Sequence, residues 1–126
     1  MARTTREAIL TAAAELMRHK GYGAVGMKDI AKACKSKNAG PFHITLDIMF
    51  DDVALFERVR ATGVIRPALI ARLYGVPEAD IQFTEYAPAL AWKATIPRRI
   101  ASGAVGDTDI YGAQQHAPLL DIEVPI

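Results

Sequence analysis

Residues 42–50 constrain the fold more than any other stretch of the chain. Phe42, Ile44, Leu46, Ile48 and Phe50 fall on one side of an extended backbone, and His43, Thr45 and Asp47 on the other. Strict alternation has a period of two, which no helix can satisfy, and it marks a strand with one buried and one solvated face, most often in an antiparallel sheet. A sheet with one apolar face must be covered, so the rest of the chain has to supply the cover.

The following residues supply it. Asp51 or Asp52 is placed to cap a helix running through Arg60, with Phe56 and Val59 turned inward and Gly63 ending it. Pro67 suits the first turn of a second helix over Pro67–Tyr74, closed by Gly75 and Pro77. Residues 81–86 and 89–96 read as two more strands, residues 97–111 as a long glycine-containing loop, and residues 119–124 as a closing strand. Loops of that length inside a compact domain are commonly functional. Residues 27–34 remain open: Ile30, Ala31 and Cys34 suit a short helix, whereas Met27, Asp29, Ala31 and Ala33 share one side of a strand. At the N-terminus, Thr4 and Glu7 have capping-box spacing, Ile9, Ala12, Ala13 and Leu16 repeat at helical spacing, and Gly21 follows the last turn, which predicts a helix over residues 4–20. Helices lie between groups of strands rather than alternating with each one. The class is therefore α+β, an antiparallel sheet with helices on one face and an extra N-terminal helix. Residues 1–26 are expected to be a helical extension and residues 27–126 the domain.

With 126 residues, 51% of them apolar, the chain can bury one core without disulfides, and its single cysteine, Cys34, permits none internally. One cysteine, no signal-peptide pattern and no apolar run near the roughly 20 residues of a membrane span point to a cytoplasmic protein with no membrane association. The net charge of +1 conceals an asymmetry. Residues 1–40 hold eight Lys/Arg against three Asp/Glu, and residues 41–126 hold seven against eleven. A basic head fits nucleic acid, an anionic ligand or an acidic partner, although solvated helix faces commonly look the same.

Two segments concentrate chemistry. Residues 35–41, Lys-Ser-Lys-Asn-Ala-Gly-Pro, read as a tight turn in which Ser36, Lys37, Asn38 and Gly40 are able to cradle an anion, or else as a plain solvated turn. Residues 106–118 hold Asp107, Asp109, Tyr111, Gln114, Gln115 and His116 among small spacers. His116 suits proton transfer near neutrality. The competing reading has the glutamines satisfying backbone groups and His116 packing at the sheet end. The three histidines, His19, His43 and His116, lack metal-ligand spacing. Asp107 and Asp109 read as solvated carboxylates rather than a cation site. No P-loop, dinucleotide fingerprint or nucleophile elbow is present, which leaves any cofactor unidentified. Arg98-Arg99, with Trp92 and Lys93 nearby, is a weak nucleic-acid signal, and charge protecting a sheet edge is the simpler account.

Two resemblances follow from longer blocks. Thr5-Arg6-Glu7-Ala8-Ile9-Leu10, Ala13-Ala14-Glu15-Leu16, Lys20-Gly21-Tyr22 and Asp29-Ile30-Ala31-Lys32-Ala33 resemble the opening of a TetR-type helix-turn-helix domain. From Lys35 onward the chain departs, and an alternating strand stands where the recognition helix belongs. Ser-Lys-Asn-Ala-Gly-Pro (36–41), Leu-Asp-Ile-Met-Phe (46–50), Ala-Thr-Ile-Pro-Arg (94–98) and Gly-Ala-Gln-Gln-His-Ala-Pro-Leu-Leu-Asp-Ile-Glu (112–123) resemble a small bacterial family. That family is in turn similar to the C-terminal, ferredoxin-like domain of AtuA-type acyclic terpene utilisation proteins. The resemblance implies a ferredoxin-like fold and a small subunit completing a larger AtuA-like protein. It further implies hydratase or lyase chemistry on branched acyl-CoA or hydroxy acids.

On this reading His116 and Tyr111 are the catalytic candidates, and Ser36, Lys37, Asn38, Gly40, Gln114 and Gln115 bind an anionic small-molecule substrate, with no metal. A larger AtuA-like subunit is the expected partner, and a homo-oligomer is compatible. The alternatives are a DNA-binding regulator with a truncated TetR-like head and a non-catalytic interaction module. Convergence of the two segments at one sheet end is what the enzyme reading requires.

Overall fold

The computed structural model describes residues 24–125. The expected helix over residues 4–20 lies outside the described residues. The chain runs through β1 (Val25–Gly26), α1 (Met27–Ile30), β2 (Ala33–Asn38), β3 (His43–Met49), α2 (Val53–Thr62), α3 (Pro67–Tyr74), β4 (Gln82–Tyr86), β5 (Ala91–Pro97), α4 (Ala117–Leu120) and β6 (Glu123–Val124). Short 3-10 turns at Glu78–Asp80 and Ala87–Ala89 precede and follow β4. Four strands form one antiparallel sheet in the order β2-β3-β5-β4, and β1 pairs with β6 in a separate two-stranded ribbon. The class is α+β, as the sequence predicts. The sheet-and-helix layering has the broad ferredoxin-like form, traversed as hairpin, helix pair, hairpin.

The alternation of β3 sets the core. Ile44, Leu46 and Ile48 are buried opposite Ile96, Ala94 and Trp92 of β5. Leu55, Phe56 and Val59 of α2 and Leu69 and Ile70 of α3 join the same apolar cluster, so both helices cover that face. Phe56 stacks on Trp92 with ring centroids 4.5 Å apart, and Phe50 meets Trp92 edge-on at 5.8 Å. Such aromatic pairs add roughly 0.5–1.5 kcal/mol beyond the area they bury. The other face is polar: Thr45 and Thr95 hydroxyls lie 3.5 Å apart, and Lys93 reaches Asp47 at 3.7 Å. Asp52 caps α2 by accepting from the Leu55 N–H at 2.9 Å.

Four local expectations change. Residues 27–34 hold one helical turn, Met27–Ile30, and then the start of β2, so each alternative describes half of the segment. Residues 35–38 are strand rather than turn, because β2 runs to Asn38 and pairs Lys35 with Asp47 and Lys37 with Thr45. Phe42 shares the parity of Ile44 yet is 63% exposed, since alternation assigns a face but burial also needs a covering element. Residues 119–124 divide into α4 and β6, with Pro118 in the first turn of the helix where its missing N–H costs nothing. β6 pairs with Val25 and Gly26 rather than joining the larger sheet.

Candidate functional site

The segment after β5 folds back along β2 and is tied to it residue by residue. The Asn38 N–H donates to the Tyr111 carbonyl at 3.0 Å. The Ser36 hydroxyl donates to the Gly112 carbonyl at 2.6 Å and accepts from the Gln115 N–H at 3.0 Å. The Asn38 side-chain amide donates to the Ile110 carbonyl at 2.6 Å and to the Ser102 hydroxyl at 3.1 Å. Gly112 makes this approach possible. It sits at φ +69°, and a Cβ there would lie 2.5 Å from Asn38 Oδ1 and 3.0 Å from the Asn38 backbone nitrogen.

Arg98 is the hub of the loop. Its side chain and that of Asp107 are each only 4% exposed, and Nη2 donates to Asp107 Oδ1 at 2.8 Å and to the Asp109 carbonyl at 2.8 Å. Nη1 donates to Asn38 Oδ1, and Nε to the Ile100 carbonyl at 2.9 Å. The planar fork of guanidinium donors suits several acceptors at once, which an ammonium cannot match. Asp107 also accepts from the Gly103 and Asp109 N–H groups, and these bonds, together with Arg98, hold its carboxyl below the usual range. Burial pushes the buried Asp109 carboxyl up. The Gln115 side chain and the Gln114 and Ala113 N–H groups donate to it and outweigh burial, so its pKa too is lowered. The reading of Arg98 as edge protection is therefore corrected: it is an internal cation neutralised by the loop it organises. Asp107 and Asp109 are likewise engaged rather than solvated. Among the described residues no group of three or more His, Cys, Asp or Glu could hold a metal ion.

Between this loop and the C-terminal end of α3 lies a cleft of about 310 Å³. Ile44, Leu73, Val76, Ile96 and Ile100 give it apolar walls, and Arg99 and Thr108 contribute polar groups beside the mutually engaged Arg98, Asp107, Asp109 and Gln115. Arg99 is exposed, and among the described residues its guanidinium makes no hydrogen bond or ion pair. Tyr74 joins the two walls, its hydroxyl donating to the Gln115 carbonyl at 2.7 Å, and burial raises its pKa.

The two sequence segments thus meet at one sheet end, but through scaffold bonds. Ser36, Asn38 and Gln115 spend their polar groups on each other and on the loop. Lys37 is exposed on the polar face of β2, Gly40 turns at φ +78° in the connection to β3, and Gln114 is exposed, with its N–H given to Asp109. Tyr111 is 81% exposed. His116 precedes α4, and its Nδ1 lies 3.2 Å from the Ala113 carbonyl oxygen. A carbonyl only accepts, so Nδ1 is the donor in this contact. Neither Tyr111 nor His116 lines the cleft, whereas Gln115 does. Arg99 was the residue whose role the sequence obscured, because adjacent arginines give no sign that one turns inward and the other outward.

A family model described as a domain of unknown function, DUF4387, matches residues 27–123. The chain belongs to this family. The DUF4387 match takes in the four-stranded sheet, helices α1 to α4, the long loop and the cleft. A second model, that of bacterial regulatory proteins of the tetR family, matches residues 9–39. Where it overlaps DUF4387, the chain forms α1 and β2. None of the curated proteins and none of the solved structures matches the chain.

Proposed function

We propose that this domain is the small, substrate-binding part of an AtuA-like enzyme acting on branched acyl-CoA or hydroxy acids by hydratase or lyase chemistry, beside a larger subunit. The cleft carries the reading: Arg99, without an ion-pair partner among the described residues, lines it together with Ile44, Leu73, Val76, Ile96 and Ile100. A cation next to apolar surface complements the carboxylate of a short branched acid, or a phosphate of CoA. His116, with Nδ1 held by the Ala113 carbonyl, supplies the acid/base group, and the exposed Tyr111 a second polar contact, where the larger subunit closes over the loop. The resemblance of residues 36–41 and 119–125 to AtuA-type proteins, by way of that small bacterial family, supports the reaction class.

Calorimetric titration of the full chain with isovalerate, and with isovaleramide as the uncharged control, tests the reading. Isovalerate should bind and the amide should not. Arg99→Ala should weaken isovalerate about 10–100-fold, the worth of a charge-assisted hydrogen bond. In the complex with its larger subunit, His116→Ala should abolish turnover with an unchanged melting temperature. Equal binding of acid and amide, or an Arg99→Ala variant with undiminished affinity, sinks the proposal. A DNA-reading role meets an obstacle in the chain itself: residues 33–38, within the tetR-family match, are strand β2 and cannot enter a major groove as a helix.

A further inference from the structure

The two edges of the four-stranded sheet are treated differently by the chain. The β2 edge is closed by the long loop through the Asn38–Tyr111 bond and carries Lys35 and Lys37, two standard ways to prevent strand addition. The β4 edge has neither. Gln82–Tyr86 holds no lysine, no proline and no bulge, and all of its residues except Phe83 are exposed.

The hydrogen-bond phase shows which backbone groups that edge offers. The Phe50 N–H donates to the Leu90 carbonyl and the Arg98 N–H to the Phe42 carbonyl, both at 2.8 Å, which brackets the β3–β5 pairing. Hydrogen-bonded and non-bonded pairs alternate along an antiparallel ladder. Trp92, Ala94 and Ile96 therefore bond toward β3, and Ala91, Lys93 and Thr95 toward β4. Their β4 partners are Tyr86, Thr84 and Gln82. The N–H and carbonyl groups of Phe83 and Glu85 consequently face outward, and among the described residues no other backbone group meets them.

We propose that β4 pairs antiparallel with β4 of a second copy of this chain, with Thr84 on the twofold axis. In that register Phe83 forms a hydrogen-bonded pair with the second copy's Glu85, and Glu85 with its Phe83, using every outward backbone group of the two residues. Thr84 meets Thr84 in the close non-bonded pair, and Gln82 meets Tyr86, which is 56% exposed in the single chain. Threonine pairs are favourable cross-strand neighbours. No like charges meet, because both Glu85 carboxylates stay engaged on the helix side, by Arg60 at 3.0 Å and Trp92 at 3.1 Å. An isologous contact of this kind closes on itself and stops at two copies. The result is a continuous sheet across the dimer, and no residue of β4 lines the cleft.

Sedimentation velocity on the full chain tests this. The wild type should be a dimer. Thr84→Glu should abolish it by placing two carboxylates directly opposite, while Lys93, its neighbour on β5, supports the folded monomer. An equimolar mixture of Thr84→Glu with Thr84→Lys should restore a dimer. Thr84→Cys, which needs no tolerance of a charge, should form an interchain disulfide on mild oxidation. A wild type that is monomeric throughout, a Thr84→Glu variant that stays dimeric, a mixture that fails to reassociate, or a Thr84→Cys chain that does not crosslink overturns the proposal.

Discussion

Substituting Gly112 by alanine isolates the junction between the long loop and β2. Two costs add at this position. Its φ of +69° lies in the left-handed region, where a non-glycine residue loses roughly 1–2 kcal/mol. The new Cβ would also stand 2.5 Å from Asn38 Oδ1, 3.0 Å from the Asn38 nitrogen and 3.3 Å from the Lys37 carbonyl carbon. Two of these neighbours are backbone atoms of β2, held by its pairing with β3, so they cannot swing aside as a side-chain end would. Relieving such an overlap costs about 1–3 kcal/mol. The total is about 3 kcal/mol, or on the order of 10–20 °C in Tm for a domain of this size. Gly103 provides the control. Its φ is +78°, but nothing lies within 4 Å of a Cβ there, so Gly103→Ala carries the conformational cost alone. Urea unfolding followed by circular dichroism should place Gly112→Ala clearly below Gly103→Ala, with the slope unchanged. Equal destabilisation of the two would refute the close packing of the loop on the strand, and with it the scaffold that shapes the cleft.

Two other outcomes follow from the titrating groups. Asp107 and Asp109 both have folded-state pKa values below the ordinary 3.8, so their stabilisation is fully present above that value and is lost as pH falls through the lower folded values. Urea midpoints should therefore be flat from neutrality to about pH 5 and drop steeply below about pH 4, less steeply in Asp109→Asn; a midpoint that does not move in acid argues against the Arg98 network. Burial pushes the Cys34 thiol up to about 11 from 9.0. Near pH 8 iodoacetamide should then alkylate it about 100-fold more slowly than an unfolded thiol, and an equal rate in native and urea-unfolded protein would contradict its burial.

The local elements were legible because they rest on interactions between near neighbours in the chain. Alternation over residues 42–50 identified β3, Gly63 ended α2 while its cap stayed open between Asp51 and Asp52, and Pro67 and Gly75 bounded α3 to the residue. Segments whose state depends on a distant partner were less legible. Residues 27–34 and 119–124 split between helix and strand because their extended halves exist only by pairing with another strand, β2 with β3 and β6 with β1.

The site divides along the same line. From the sequence, Ser36, Asn38, Gln115 and His116 were recognisable as chemically able residues, and the two segments that hold them as a pair worth joining. Only the tertiary structure decided how those polar groups are used. Ser36 and Asn38 are consumed by Gly112, Ile110 and Gln115 because the loop returns to β2, a contact between residues some seventy positions apart. It likewise separated two adjacent arginines: Arg98 turns into the loop against Asp107, whereas Arg99 faces the cleft. Charge and hydrogen-bonding capacity belong to the residue type, but whether a group is spent or free depends on which partner the folded backbone places within about 3 Å of it.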